Sequence, residues 1–357
     1  MNIAIIGAGI AGLACAYELE KLGVTPTIFE KKNELGEQLS YAGLWPRILM
    51  RCQDDPLDYL NERYNLKLTP LNEYTQSIMI TANKKVVSNG KQGYIFKRGF
   101  EKNSLENQIA SKIKTPIQFN MYIDIDSIKD NFDYIVDATS TTRIVKQFNN
   151  WTDTFISQAR VAMVLGKFNT SSTTIWFNED YCKKGFSYLI PNSEKEATLA
   201  LIVNDITISE MDYYWNKFLK TEKIPYNILQ QNEAEHACGV LSNYQIDNIY
   251  FVGNAAGLTD DLLGVGSFNA IESGIFAARA IVNKTDYKQM LEPIYTDVAK
   301  LHEIRKIVNT FDNDKYDSLI GIIGTPGIKH MIYNLPFVKA NQGAQLARLY
   351  NILNGKS

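Results

Sequence analysis

The sequence has few of the residues from which metal centres and disulfide frameworks are built. Its 357 residues include four cysteines, none of them in a CxxC pair, and three histidines. Zinc sites and disulfide scaffolds need closely spaced cysteines or histidines. We therefore expect no bound metal ion, and we expect the cysteines to be reduced, buried thiols.

An excess of one charge and long hydrophobic runs are also missing. The 37 basic and 39 acidic residues leave a net charge of -2, so no overall field favours nucleic acid, and no DNA or RNA partner is expected. No eighteen consecutive residues are apolar, and the first ten carry no basic segment of the signal-peptide type. We predict a cytoplasmic protein and leave peripheral association with a membrane open.

The first thirty residues contain a dinucleotide-binding pattern. A short apolar run at residues 2–6 is followed by the glycine motif GAGIAG and then by helical apolar spacing. In such a turn the first glycine permits the bend, the second lets the backbone approach a diphosphate, and the third lets helix and strand pack. An acidic residue after the second strand suits a ribose diol. The predicted contacts are Gly7, Ala8, Gly9, Ile10, Ala11, Gly12, Glu30 and Lys31, and the alternative is a tight turn without a ligand.

A second glycine-rich segment indicates which dinucleotide to expect. Residues 250–257 read YFVGNAAG, and residues 258–266 read LTDDLLGVG. They resemble the flavoprotein superfamily of aromatic hydroxylases and geranylgeranyl reductases, in which a late strand ends in Gly-Asp and a glycine-rich loop opens a flavin-facing helix. The resemblance implies FAD, although asparagine stands here where the family has aspartate, and the alternative is a surface loop. The further contacts that it implies are Gly253, Asn254, Gly264, Val265 and Gly266.

Two more residues are carried over from the same resemblance. Arg98, followed by Phe100 and Leu105, is similar to an arginine-led element that starts a helix beside the flavin. Asp137 ends an apolar strand pattern where the family has Asp-Gly and this chain has Asp-Ala. Both are predicted cofactor contacts. The alternatives are a solvated arginine and a polar strand end that bonds its neighbours.

Details of two segments favour the geranylgeranyl reductase branch. The late loop follows that branch in register at Asp260, Gly264, Gly266, Ala270, Ser273 and Gly274, with Asp261 in place of its proline. The run GFSYLIP at residues 185–191 is similar to the branch's Gly-aromatic-x-aromatic-x-x-Pro strand. Aromatic residues that alternate on one strand face would form an apolar wall for an isoprenoid chain, or simply a core. The cysteine that the branch often carries after the second strand is absent, because residues 37–41 read EQLSY.

These patterns together predict an α/β fold class. We expect a discontinuous Rossmann-type FAD-binding domain, a β-sheet substrate domain and a C-terminal helical region. The expected ranges are 1–65, 96–155 and 245–285 for the cofactor domain, 66–95 and 156–244 for the substrate domain, and 286–357 for the helices. We expect the helical region to be broken at Pro293, Gly321, Pro326 and Pro336.

The resemblance implies an FAD-dependent reductase that passes hydride from flavin to a carbon-carbon double bond of a prenyl-like substrate. The expected partners are a small apolar substrate such as a prenyl lipid and an external electron donor, NAD(P)H or a redox protein, because no second nucleotide motif occurs. Tyr188 is a candidate proton donor beside the substrate, with a buried core tyrosine as the alternative. A flavin-dependent monooxygenase of an aromatic or polyketide-like substrate and a non-catalytic flavin-binding protein remain open.

Overall fold

The structure is a computed structural model that describes residues 1–36, 39–52 and 54–325. The strands are β1 (Ile3–Ile6), β2 (Thr27–Phe29), β3 (Tyr41–Pro46), β4 (Asn72–Ile80), β5 (Lys85–Arg98), β6 (Ile117–Gln118), β7 (Tyr134–Asp137), β8 (Trp151–Leu165), β9 (Ser172–Trp176), β10 (Phe186–Pro191), β11 (Glu196–Asn204), β12 (Asn227–Leu241), β13 (Gln245–Ile246) and β14 (Ile249–Phe251). The helices are α1 (Ile10–Lys21), α2 (Pro56–Tyr64), α3 (Leu105–Ala110), α4 (Ile125–Ile128), α5 (Arg143–Gln147), α6 (Glu179–Cys182), α7 (Met211–Thr221), α8 (Ser267–Asn283), α9 (Tyr287–Val308) and α10 (Asn313–Ile323).

The first layer is a sheet in the order β13-β14-β7-β1-β2-β6. Its central strands run parallel, and β1, α1 and β2 form the expected βαβ unit. The short strands β1 and β7 are largely buried because helices and loops cover both sides of a parallel sheet. The carboxyl ends of β1, β2, β7 and β14 therefore meet at one edge, where open α/β sheets bind their ligands.

The second layer is a larger sheet in the order β12-β8-β11-β10-β9-β4-β5-β3. It is antiparallel except for the β4-β9 pair. One face packs against α6 and α7 through Leu199, Leu201, Trp215 and Phe218. The α/β fold class predicted from the sequence is confirmed by these two sheets and their helices.

Two strands of the larger sheet have no clear pattern in the sequence. Residues 227–235 of β12 are all exposed, so this edge strand lacks the alternation that marks a half-buried strand. Strand β3 pairs with β5 and lies inside the range 1–65 that the sequence assigns to the cofactor domain. The Trp45 indole N–H donates to the Ser267 hydroxyl at 2.6 Å, which ties β3 to the start of α8.

The helical region differs from its prediction at two positions. Pro293 lies inside α9, which continues without a break from Tyr287 to Val308, so the predicted break there is wrong. Proline removes one helical hydrogen bond, but buried Leu291, Ile294, Val298 and Leu301 hold the helix against the core. Gly321 likewise lies inside α10.

The rest of the predicted helical region, with Pro326 and Pro336, lies outside the described residues, and so do Glu37 and Gln38 of the loop after β2. Among residues 1–36, 39–52 and 54–325, no helix combines the length and the apolar character needed to cross a bilayer.

Candidate functional site

A cleft of about 810 Å³ opens at the carboxyl edge of the parallel sheet and reaches the larger sheet. This volume lies in the range of sites that bind a large organic ligand. The predicted residues that line it are Gly7, Ala8, Gly9, Ile10, Ala11, Glu30, Lys31, Arg98, Gly253, Asn254, Gly264 and Gly266. The structure therefore brings together, at one cleft, segments that are up to about 260 residues apart in the chain.

The three glycines of the first turn have different surroundings. Gly7 has φ of +105°, and a Cβ there would lie 2.5 Å from the Ala138 carbonyl oxygen. At Gly12 a Cβ would lie 2.0 Å from the Gly7 carbonyl oxygen, so this glycine serves the packing of α1 on β1. A Cβ at Gly9 would meet no protein atom within 4 Å. Since Gly9 lines the cleft, the space beside it is available to a ligand.

Two helices present their N-termini at the cleft. Gly9 is the N-cap of α1 and Gly266 is the N-cap of α8, and neither helix has a side-chain cap or an acidic residue in its first turn. The first N–H groups of a helix have no partner within the helix and carry a partial positive charge. Both glycines line the same cleft. The two ends are therefore suited to a ligand with a diphosphate and with a second electron-rich group.

Glu30 stands at the carboxyl end of β2, as the sequence predicts. Its carboxylate accepts the Ala8 backbone N–H at 2.8 Å and the Lys32 backbone N–H at 3.0 Å. These bonds fix the side chain beside the glycine turn, and a carboxylate has further lone pairs to accept hydroxyl protons. The arrangement fits the ribose of a dinucleotide.

The loop before α8 is held by the buried Asp260 carboxylate. It accepts backbone N–H groups of Leu262 at 2.9 Å, Leu263 at 2.7 Å and Val265 at 2.5 Å. Burial nevertheless raises the pKa of Asp260 to about 6. Gly264, with φ of +68°, lies at the turn that these bonds create, and a Cβ there would meet no protein atom within 4 Å.

The loop is also tied to its neighbours. Asp261, which stands in place of the family's proline, is hydrogen-bonded to His302 of α9 and to the Cys238 thiol of β12. The Thr259 hydroxyl donates to the Asn254 side-chain oxygen at 2.5 Å. Asn254 therefore keeps a polar side chain at the cleft, but its carbonyl oxygen is already engaged.

Arg98 is oriented by an ion pair. Its Nε donates to Oε1 of Glu106 at 2.7 Å, and Glu106 is almost fully buried at the start of α3. The guanidinium also lies 5.6 Å from the centre of the Tyr41 ring, another residue of the cleft wall. The arginine thus has a fixed position at the cleft and is not a solvated surface group.

Four predicted or candidate residues do not line the cleft: Gly12, Asp137, Val265 and Tyr188. Asp137 is fully buried behind the cleft wall, where one oxygen accepts the Thr139 N–H at 3.0 Å. This is the geometry of the polar strand end that the sequence left as the alternative. Burial raises the pKa of Asp137 to about 6. Tyr188 packs beside the cluster of Ala42, Tyr74, Ile95 and Ile190, and burial raises the pKa of its phenol strongly.

Other cleft residues have no motif in the sequence. The Arg143 guanidinium stacks 4.8 Å from the ring centre of Tyr122 and donates to the Ile123 carbonyl oxygen at 2.8 Å. Residues 139–141 follow β7, and the rule that ligands bind beyond the carboxyl ends of parallel strands points to them. Residues 232–236 of β12 close the opposite side.

Comparison with known proteins identifies relatives of this chain. Residues 5–45 match the family model of the NAD(P)-binding Rossmann-like domain. A curated relative, digeranylgeranylglycerophospholipid reductase 3 of Methanosphaera stadtmanae, is 23% identical over 349 residues, which cover 85% of this chain and 83% of the relative. A geranylgeranyl bacteriochlorophyll reductase-like protein of Thermoplasma acidophilum has a TM-score of 0.71 at 16% identity, covering 98% of each chain.

The resemblance to the geranylgeranyl reductase-like branch is confirmed. The fold also occurs outside that branch, since the flavin-dependent brominase Bmp2 matches with a TM-score of 0.66 at 16% identity over the full length of both chains. The relatives support a flavin-dependent oxidoreductase as the general class of this protein, and a flavin as its cofactor.

Proposed function

We propose that this protein is an FAD-dependent reductase that saturates a carbon-carbon double bond of a prenyl or other apolar substrate. The observation that carries the proposal is the cleft, where two uncapped helix N-termini and one face of the larger sheet meet. FAD fits the two helix N-termini, because its diphosphate and its flavin ring each need N–H donors. When bound, FAD supplies the hydride.

The face of the larger sheet that adjoins the cleft is apolar. Cross-strand partners share a face, and Val161, Ala200, Tyr188 and Ile175 are successive partners across β8, β11, β10 and β9. Strand β12 extends this row with Asn232, which lines the cleft. An isoprenoid chain bound in the cleft beside this apolar face would exclude water from the reacting carbon atoms.

The chain's own residues bind and orient the cofactor in this proposal. Backbone N–H groups after Gly9 meet the diphosphate, and Glu30 accepts a ribose hydroxyl proton. The loop that Asp260 holds places the N–H groups after Gly266 at the cleft, where they would hold the flavin ring and would favour its reduced, anionic form. Arg98, fixed by Glu106, adds positive charge at the same cleft. An external donor, NAD(P)H or a redox protein, a cytoplasmic location and peripheral membrane contact stay predictions from the sequence.

The proposal is tested by anaerobic reoxidation. Purified protein reconstituted with FAD is photoreduced without oxygen and mixed with geranylgeraniol, and flavin absorbance near about 450 nm is followed. We expect the absorbance to return only with the alkene, and mass spectrometry to find a product richer by two hydrogen atoms. The matched control is phytanol, which has the same carbon skeleton without double bonds.

Two results would contradict the proposal. Product that carries an added oxygen atom and forms only in air would favour the monooxygenase, which the fold also serves. Protein that holds no flavin even at excess FAD would rule out both enzyme classes.

A further inference from the structure

The larger sheet brings a histidine into the cleft that no motif indicates. His236 lies on β12 and lines the cleft together with Gly264 and Gly266. Its cross-strand partner is Ser157 of β8, whose own partner is Asn204 of β11. By strand alternation His236 shares a face with Asn232 and Ala234, whereas Glu233 pairs with Arg160 on the opposite face, which packs against α7. The imidazole is therefore presented on the substrate-facing side of the sheet.

The Nε2 atom of His236 is buried and has no hydrogen-bond partner among the described residues. A buried polar atom without a partner costs free energy, about 1 to 3 kcal/mol, and a native structure rarely keeps one without a use. Because the histidine lines the cleft, a bound molecule is the available partner. Since the cleft is the site of the proposed reaction, the cofactor or the substrate can supply that partner.

The end of β12 that carries His236 is fixed against the flavin loop. Cys238, two residues further along the strand, is hydrogen-bonded to Asp261 of that loop. A Cβ at Gly257 would lie 2.5 Å from the Gly239 carbonyl oxygen, so the two backbones are in close contact. His236 is thus held on a rigid strand beside the loop that is expected to carry the flavin ring.

We propose that His236 is the proton donor of the reduction, an inference that rests on the proposed function. One alkene carbon forms its new C–H bond with the hydride of reduced FAD, which becomes oxidised FAD. The π electron pair forms the second C–H bond with the proton of the His236 imidazolium, which becomes neutral imidazole and regains its proton from water. The substrate therefore gains two hydrogens, and the electron pair comes from the reduced flavin.

The charged surroundings of His236 act in opposite directions. Burial lowers the pKa of the His236 imidazole and outweighs the Asp261 carboxylate, which raises it, so the pKa lies below its ordinary value before the flavin is reduced. Cys238 on the same strand and His302 on α9 are both hydrogen-bonded to Asp261. Arg305 of α9 interacts electrostatically with the same carboxylate. The cross-strand neighbour Ser157 on β8 is uncharged. A negative charge on reduced flavin would add to the effect of Asp261 and favour the imidazolium.

The test compares His236→Gln with the wild-type holoprotein. In single-turnover reoxidation by geranylgeraniol, the wild-type rate should fall as pH rises through the imidazole pKa and should show a solvent deuterium isotope effect. His236→Gln should be slower by about 100-fold or more, the contribution typical of a positioned acid, with neither the pH dependence nor the isotope effect. FAD stoichiometry and the reduced spectrum should stay at wild-type values. Glu303→Gln, on the exposed side of α9, is the control for loss of a titratable group.

A second readout does not depend on turnover. The chain has three histidines, so imidazole NMR signals can be resolved, and His236→Gln assigns one of them. Its titration midpoint should rise on photoreduction of the flavin and move again when phytanol binds. If geranylgeraniol reoxidises the wild type, and His236→Gln reacts at the same rate and with the same pH dependence, His236 is not the proton donor, but the proposed function stands. Wild-type protein that geranylgeraniol cannot reoxidise would overturn both proposals.

Discussion

Replacement of Gly9 by valine separates ligand binding from folding. Gly9 has extended backbone angles, φ of -78° and ψ of -176°, which valine adopts readily. A Cβ there meets no protein atom within 4 Å, so the flavin-free protein should lose less than about 1 kcal/mol of unfolding free energy, the scale of a changed N-cap residue. The added methyl groups instead fill the space that a dinucleotide diphosphate needs.

The expected loss of affinity follows from the contacts that are blocked. Hydrogen bonds from N–H groups to a charged acceptor contribute about 1.5 to 3 kcal/mol each. Loss of one or two of them amounts to about 3 kcal/mol, or roughly 100-fold in Kd for FAD. Fluorescence titration of the flavin-free protein with FAD measures this directly, and urea unfolding measures the fold.

Gly12→Ala is the matched comparison, because its Cβ would lie 2.0 Å from the Gly7 carbonyl oxygen. It should cost about 1 to 3 kcal/mol of unfolding free energy, as overpacking does. If Gly9→Val binds FAD as tightly as the wild type, the assignment of this turn to the diphosphate is wrong. If Gly9→Val unfolds as readily as Gly12→Ala, a side chain at residue 9 contacts protein atoms, and the space beside Gly9 is not open.

Three further changes test other parts of the site. Burial raises the pKa of Asp137 to about 6, above the 3.8 of an unfolded chain, so this carboxyl should contribute a loss of up to about 3 kcal/mol as pH rises from below 3.8 to above 6, in addition to the loss that Asp260 contributes in the same pH range. Asp137→Asn should remove the loss due to Asp137 and keep FAD; parallel urea curves for the two proteins at both pH values would contradict this. Glu106→Ala removes the carboxylate that accepts the Arg98 Nε–H and should lower the unfolding free energy by about 1.5 to 3 kcal/mol, the scale of one charged hydrogen bond, so a change below about 1 kcal/mol in urea would refute the role of the pair. Tyr188→Phe should keep the anaerobic reoxidation rate within about twofold, since Tyr188 does not line the cleft. A loss of rate as large as that expected for His236→Gln would instead indicate that Tyr188 is the proton donor.

The sequence alone predicted the features that depend on neighbouring residues. Gly7, Gly9 and Gly12 act within one strand-turn-helix, and Glu30 follows on the next strand, so their spacing already determines what they do. The α/β class follows from the same local periodicities. The family pattern extended this to the loop at Gly264 and Gly266.

Features that depend on distant contacts needed the tertiary structure. Pro293 does not end α9, because buried side chains along the helix outweigh one lost hydrogen bond. The sequence could not separate a cofactor-bound Asp137 from a buried one, since a strand end has the same pattern in both cases. His236 lies in a strand whose first nine residues are all exposed, so no apolar alternation marks its position. Its place beside the Gly264 loop is determined by the pairing of β12 with β8, a contact between segments about 80 residues apart, which local sequence patterns do not record.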